Sequence, residues 1–201
     1  MSLGERSRRQ RWARFHAAFP SLTDMRVVDL GGTVQWWERA PARPAHVTVV
    51  NLDPQPDPPP WVTFVQGDAC ELTGSFDLAF SNAVIEHVGG HQRRLAFAEA
   101  ARRLAPAHWV QTPYRYFPIE PHFLFPGLQF LPVAARARIL RHWPLVHGDL
   151  SHPDAAMWAA LDADLIGRAE MRYLFPDSEI RSERLAGLTK SLIAVRTASV
   201  V

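Results

Sequence analysis

A single cysteine, Cys70, leaves no partner for an internal disulfide and too few thiols for a cysteine-based zinc cluster. No apolar run approaches the ~20 residues of a membrane span, and the arginine-rich start lacks the apolar core and small-residue cleavage site of a secretory leader. These absences set the expectation of a cytoplasmic chain with no membrane span. Charge of one sign is also scarce: 22 Lys and Arg against 20 Asp and Glu leave +2, which argues against a nucleic-acid face. The positives crowd the start at Arg6, Arg8, Arg9, Arg11 and Arg14, where they suit a solvated helix face or a cover over an anionic ligand. Apolar material is plentiful, at 47% of 201 residues, enough for the core of one domain spanning 1–201.

The chain is organised around Met25 to Gly32. Val27 and Val28 read as a strand buried on both faces, running into Asp29 and a glycine pair where the backbone must turn. The same grammar recurs downstream. Val47 to Val50 ends at Asn51-Leu52-Asp53, Trp61 to Val65 at Gly67-Asp68, Phe76 to Phe80 at Ser81-Asn82, and Trp109 to Thr112 predicts a fifth strand.

Between strands, Ser7 to Phe19 predicts a helix with Trp12, Phe15, Ala18 and Phe19 on one side, so residues 1–20 form a helical cap. Thr33 to Arg39 predicts a short helix opening at the glycine turn. After Asp53, five prolines in seven residues preclude a helix, so an extended loop stands where a crossover helix is usual. Gln92 to Leu104 carries apolar residues at helical spacing and is closed by Pro106.

Pro113 to Pro132 is rich in proline and aromatics without a periodic pattern. Ordered loops longer than ~12 to 15 residues are uncommon unless functional, and 113–153 reads as an acceptor-site insertion. Ala134 to Trp143 and Ala155 to Ile166 predict two further helices. Near the end, Glu170 to Phe175 and Ser191 to Arg196 read as strands joined by a short helix around Glu179 to Ala186.

These elements resemble class I S-adenosylmethionine-dependent methyltransferases. The residues that carry the likeness are Val27-Val28-Asp29-Leu30-Gly31-Gly32, Gly67-Asp68-Ala69, and Asp77 to Val88 with its Ile85-Glu86-His87 turn. The resemblance implies an α/β fold, a Rossmann-like seven-stranded, mostly parallel sheet with helices on both faces. Val110-Gln111-Thr112-Pro113, Pro118 to Phe123 and Leu188 to Ile193 are similar to a narrower set found beside glycosyltransferases in bacterial sugar pathways. That implies an O-methyltransferase acting on a saccharide or another small hydroxylated molecule.

Carried over, Asp29, Gly31 and Gly32 would approach the methionine part of the cofactor, and Asp68 and Ala69 the adenine. Asn51, with Leu52 and Asp53, stands where the family places a ribose-holding acid, and cannot act as a charged partner there. Ser81 and Asn82 would supply oxygen acceptors near the sulfonium cation.

Methyl transfer to a hydroxyl needs alignment and a proton acceptor. The candidates are His87, Glu120, His122 and His147, with Gln111, Tyr114, Tyr116 and Asp149 lining the acceptor site. The acid and histidine pairs could also hold a divalent ion such as Mg against two sugar hydroxyls. A nicotinamide oxidoreductase is disfavoured because Gly-Gly-Thr lacks the spacing that seats a pyrophosphate; a degenerate methyltransferase-fold scaffold is the non-enzyme alternative. The aromatics of 113–132 suggest a homodimer.

Overall fold

The computed structural model describes residues 3–146 and 148–198, with side chains from Arg9 onward. His147 and the side chains of Arg6 and Arg8 therefore lie outside the described residues. Among the described residues, no helix is long and apolar enough to cross a membrane.

Five parallel strands form most of one sheet: β1 (Arg26–Leu30), β2 (His46–Asn51), β3 (Val62–Gln66), β4 (Leu78–Asn82) and β5 (Ala107–Pro113). β9 (Leu188–Arg196), antiparallel to its neighbours on both sides, and β8 (Glu179–Leu185), which thereby runs with the first five, complete it in the order β3-β2-β1-β4-β5-β9-β8. Chain direction across the sheet reverses between β1 and β4. Ligands of open α/β sheets bind outside the carboxyl ends of the strands at such a switch point.

The period-2 alternation of strand side chains assigns them to two layers. Val28, Leu30, Ala79 and Val110 pack against α3 (His91–Leu104) and α6 (Arg168–Leu174), through Phe97, Leu104, Met171 and Leu174. Val27, Val49, Phe80 and Trp109 pack against α1 (Leu3–Ala18) and α2 (Val34–Glu38), through Phe15 and Trp37. Phe15, Phe97, Trp37 and Trp109 are essentially inaccessible to solvent, each worth ~1.5–3 kcal/mol or more on burial. The helix expected over Ser7 to Phe19 is thus present, and its apolar side meets the sheet. The proline stretch after Asp53 forms neither helix nor strand, so no crossover helix stands there, as expected.

The aromatic segment is more ordered than its sequence suggests. It holds a two-strand hairpin, β6 (Ile119–Glu120) with β7 (Phe125–Pro126), and a 3-10 turn at Leu128–Phe130. Leu128 then packs with α4 (Val133–Leu140) and α5 (Pro153–Asp162) in a separate apolar cluster.

The C-terminal part corrects two expectations. Glu170 to Phe175 is not a strand but the body of α6, and Glu179 to Ala186 is not a helix but strand β8. The chain reverses between β8 and β9 through Ala186 and Gly187, both at positive φ (49° and 82°), as a two-residue hairpin turn requires. β8 is an edge strand with one largely solvated side, so its polar composition imitates a helix. Its extended form is selected by the ladder to β9.

Candidate active site

The glycine turn after β1 is built by its neighbours. Gly31 has φ +80°, and a Cβ added there would lie 2.4 Å from Val84 Cγ1; only glycine fits. Asn51 Nδ2 donates to the carbonyls of Gly32 (2.8 Å) and Gly31 (3.3 Å), while its Oδ1 accepts from the Asp53 amide (3.0 Å). Both donors of the Asn51 side chain are thus engaged in holding the glycine turn. An acid at this position could accept but not donate.

Asp29 is buried beneath the turn. Its Oδ2 accepts from Trp37 Nε1 (2.7 Å), and burial raises its carboxyl to about 7, with the Trp37 bond opposing. Asp68 ends the third strand region and accepts from the Cys70 amide (2.9 Å) and from Arg93 of α3 (2.5 Å). Burial works against its charge, but these donors keep the carboxyl below its ordinary value.

Gly31, Asn51, Leu52, Asp68, Ala69 and Val84 line one cleft of about 200 Å³, together with His87 and Arg93. Leu52 stands at its rim with 70% of its surface exposed. Gly31, Asn51, Leu52, Asp68 and Ala69 are therefore brought together.

Other expected residues point elsewhere. Ser81 Oγ donates to the Leu30 carbonyl (3.0 Å) within the sheet, and Asn82 accepts from Arg11 of α1 (2.7 Å). Gln111 is buried, with its Oε1 unpaired. Strand alternation sends Asn82 and Gln111 to the α1 side of the sheet, away from the cleft. Asp53 contributes its backbone amide only to the Asn51 bond.

A second, wider cavity of about 800 Å³ is lined by His87, Pro121, His122, Phe123, Trp158 and Asp162, with Gly89, Ala159 and Leu161. His87 lines both spaces. Its Nδ1 is 2.8 Å from Asp162 Oδ2, and His122 Nδ1 is 2.6 Å from Glu120 Oε1. The two rings meet edge to face with centroids 4.9 Å apart. Burial lowers the His122 pKa, but the Glu120 contact and the charges of Glu86 and Asp162 outweigh it and raise the net value. Glu120 is itself held by the Phe123 amide (2.8 Å).

Beside them Glu86 is buried, with Oε2 accepting from Thr112 (2.9 Å) and Oε1 unpartnered; desolvation raises its pKa. Tyr114 and Tyr116 contact each other, and Tyr116 stacks on Phe130 outside this cavity. Asp149 turns back onto the Ser151 amide (2.9 Å) and also lies outside it.

Sequence reasoning missed Glu86, Arg93, Trp158 and Asp162 as site residues. The Glu86-His87 pair was a usable signal, because an acid adjoining a histidine supplies two ligand or proton-transfer groups at one turn. Trp158 and Asp162 left none, as α5 reaches His87 only through the fold.

Comparisons with known proteins bear on the family and the fold. A sequence family described as a methyltransferase domain matches residues 5–159. Trans-aconitate 2-methyltransferase of Deinococcus radiodurans is 37% identical over 89 residues, 40% of this chain; the chain spans about a third (34%) of that relative's length. A Mesorhizobium loti S-adenosylmethionine-dependent methyltransferase superposes with TM-score 0.56 at 18% identity, over 92% of this chain and 97% of that one. Magnesium protoporphyrin IX methyltransferase from Synechocystis PCC 6803 gives 0.52 at 16% identity, over 95% and 80% of the two chains. The structural likenesses are of fold alone. With a family match across most of its length and the matching seven-stranded sheet, the chain belongs to the methyltransferase-domain family.

Proposed function

We propose that the chain is an S-adenosylmethionine-dependent O-methyltransferase for a neutral, hydroxylated small molecule, with a saccharide as the acceptor class. The observation that carries this reading is the pair His87 and His122, each oriented by a carboxylate: His87 lines both cavities and His122 stands beside it in the wider one. Among the described residues that line the acceptor cavity none is Arg or Lys, and its histidines face carboxylates, which favours a neutral acceptor. An anion such as the trans-aconitate in the curated relative's name would favour cationic partners. Trp158 is 75% exposed at this cavity and offers a flat face to the CH surface of a sugar ring.

The cleft residues fit S-adenosylmethionine. Gly31 leaves backbone open where a side chain would intrude, Leu52 presents an uncovered apolar surface to a base, and Asp68 retains acceptor capacity for an exocyclic amine. When bound, the cofactor supplies an electrophilic methyl group on a sulfonium sulfur. Asp29 and Gly32 do not line the cleft; Asp29 supports the turn from the α2 side, through Trp37 and beneath Gly32. In the metal-free chain the ring nitrogen of His122 left open by Glu120 accepts the acceptor's hydroxyl proton, and Glu120 stabilises the resulting imidazolium.

Residues 1–20 act as a cap and 113–153 as the acceptor-site insertion of one domain. The lone thiol suits the cytoplasm. The stacked, exposed Tyr116 and Phe130 supply a dimer contact, which light scattering tests.

Calorimetric titration with S-adenosylmethionine, NADH serving as the competing dinucleotide, tests the reading. Saturable binding weakened by Asp68→Ala, followed by methylation of mannosides in preference to carboxylates, is expected. No binding of the methyl donor would overturn the enzyme reading in favour of a scaffold. Exclusive methylation of carboxylates would overturn the acceptor class.

A further inference from the structure

We propose that Glu86, His87 and His122 form a binding site for one divalent first-row transition-metal ion, of the manganese, cobalt or zinc class. One ligand atom from each of the three residues lies within 4.8 Å of the other two. Around a common ion at ~2.0–2.2 Å, such atoms sit about 3.4 Å apart, so a side-chain adjustment of about 1 Å closes the site. The three residues come from two distant segments, the turn after β4 and the β6–β7 hairpin.

Two independent observations point to a cation. Each imidazole has its Nδ1 against a carboxylate, His87 on Asp162 and His122 on Glu120. With Nδ1–H donating there, Nε2 carries the free lone pair, which is how histidine ligands of metals are ordinarily oriented. The second observation is Glu86 Oε1, a carboxylate oxygen on a residue only 1% exposed and without a hydrogen-bond partner among the described residues. A buried acceptor left unpaired is costly, and a metal ion between it and the two rings would satisfy it.

The donor set selects the ion. Two imidazole nitrogens and one carboxylate oxygen match the two-histidine, one-carboxylate pattern of transition metals, whereas magnesium demands oxygen ligands and retains water. Magnesium, which the sequence offered as one option, is the poorer fit. His87 and His122 also line the acceptor cavity, so an ion held by them would lie at its wall.

One consequence rests on the O-methyltransferase reading. An ion held by Glu86, His87 and His122 would lower the pKa of a hydroxyl group that it binds, and the proton would pass to water. The new C–O bond then forms as the sulfonium C–S bond breaks, with the electron pair going to sulfur. In the metal-loaded chain the ion therefore replaces His122 as the activating group. Ion binding itself needs no such reading.

The test is titration of the full, tag-free, chelator-stripped chain with cobalt(II), followed by its visible absorption. One equivalent bound with ligand-field bands that zinc displaces is expected. Glu86→Gln and His122→Ala should each abolish the bands, and Asp162→Asn should weaken binding about 10-fold. Thermal melts establish that the variants fold; if Glu86→Gln does not, the more exposed His122→Ala decides.

Cobalt binding no tighter than in His87→Ala/His122→Ala overturns the proposal. Stoichiometric binding without methyl transfer upholds the metal site and counts against the O-methyltransferase reading. Methyl transfer undiminished by chelation, with no cobalt bands, does the reverse.

Discussion

The side-chain amide of Asn51 lies 2.8 Å from the carbonyl oxygen of Gly32 and donates to it. An acid here, the residue type usual in the family for holding ribose, would set a negative oxygen against two carbonyls. Asn51→Asp is therefore expected to lower the melting temperature and weaken S-adenosylmethionine binding about tenfold, a loss of ~1.4 kcal/mol. Calorimetry decides; tighter binding would mean that the ribose contact outweighs the turn.

Gly31 faces Val84 with no room for a methyl group, in a conformation that L residues rarely adopt. Gly31→Ala should cost about 1–3 kcal/mol in denaturant melts and abolish cofactor binding. Adding Val84→Ala relieves the clash but not the φ strain, so the double variant should recover only part of the stability.

Asp29, with a carboxyl raised from 3.8 to about 7 by burial, gives stability a definite pH slope. Between those values the unfolded chain has released the proton that the folded chain still holds. The contribution is present below pH 3.8 and declines as pH rises toward about 7. Asp29→Asn keeps an acceptor for Trp37 and removes this term. Compared with the parent, it should gain up to ~4 kcal/mol of relative stability between pH 4 and 7 in cofactor-free urea melts. Parallel pH profiles would show that Asp29 stays ionised in the fold.

Trp158 touches the acceptor cavity but not the cofactor cleft, and three quarters of it is exposed. Trp158→Ala should raise the acceptor KM about tenfold, the equivalent of ~1.4 kcal/mol, while leaving the cofactor Kd and melting temperature within error. An unchanged KM in steady-state kinetics would remove the indole from acceptor recognition.

Much of the sheet was legible because its signals are local. Val27-Val28 before Asp29-Leu30-Gly31-Gly32 carries a buried strand and its turn within eight residues, and Gln92 to Leu104 repeats at the helical period. The reading of β8 as a helix has a physical cause. Glu179-Ile180-Arg181-Ser182-Glu183-Arg184-Leu185 becomes extended through pairing with β9, which no local propensity records.

At the site, the division follows the same physics. By itself the sequence determined the five parallel strands, the polar residues at their carboxyl ends and the glycine turn, because each depends on neighbours a few positions away. Only the tertiary structure decided which way those side chains point: Ser81, Asn82 and Gln111 turn from the cleft, while Asn51 turns onto the glycine carbonyls. It alone brought Asp162 to His87 across 75 positions and set Arg93 on Asp68. Contacts of that range are made by layers packing against the sheet, where side-chain direction follows burial rather than sequence spacing.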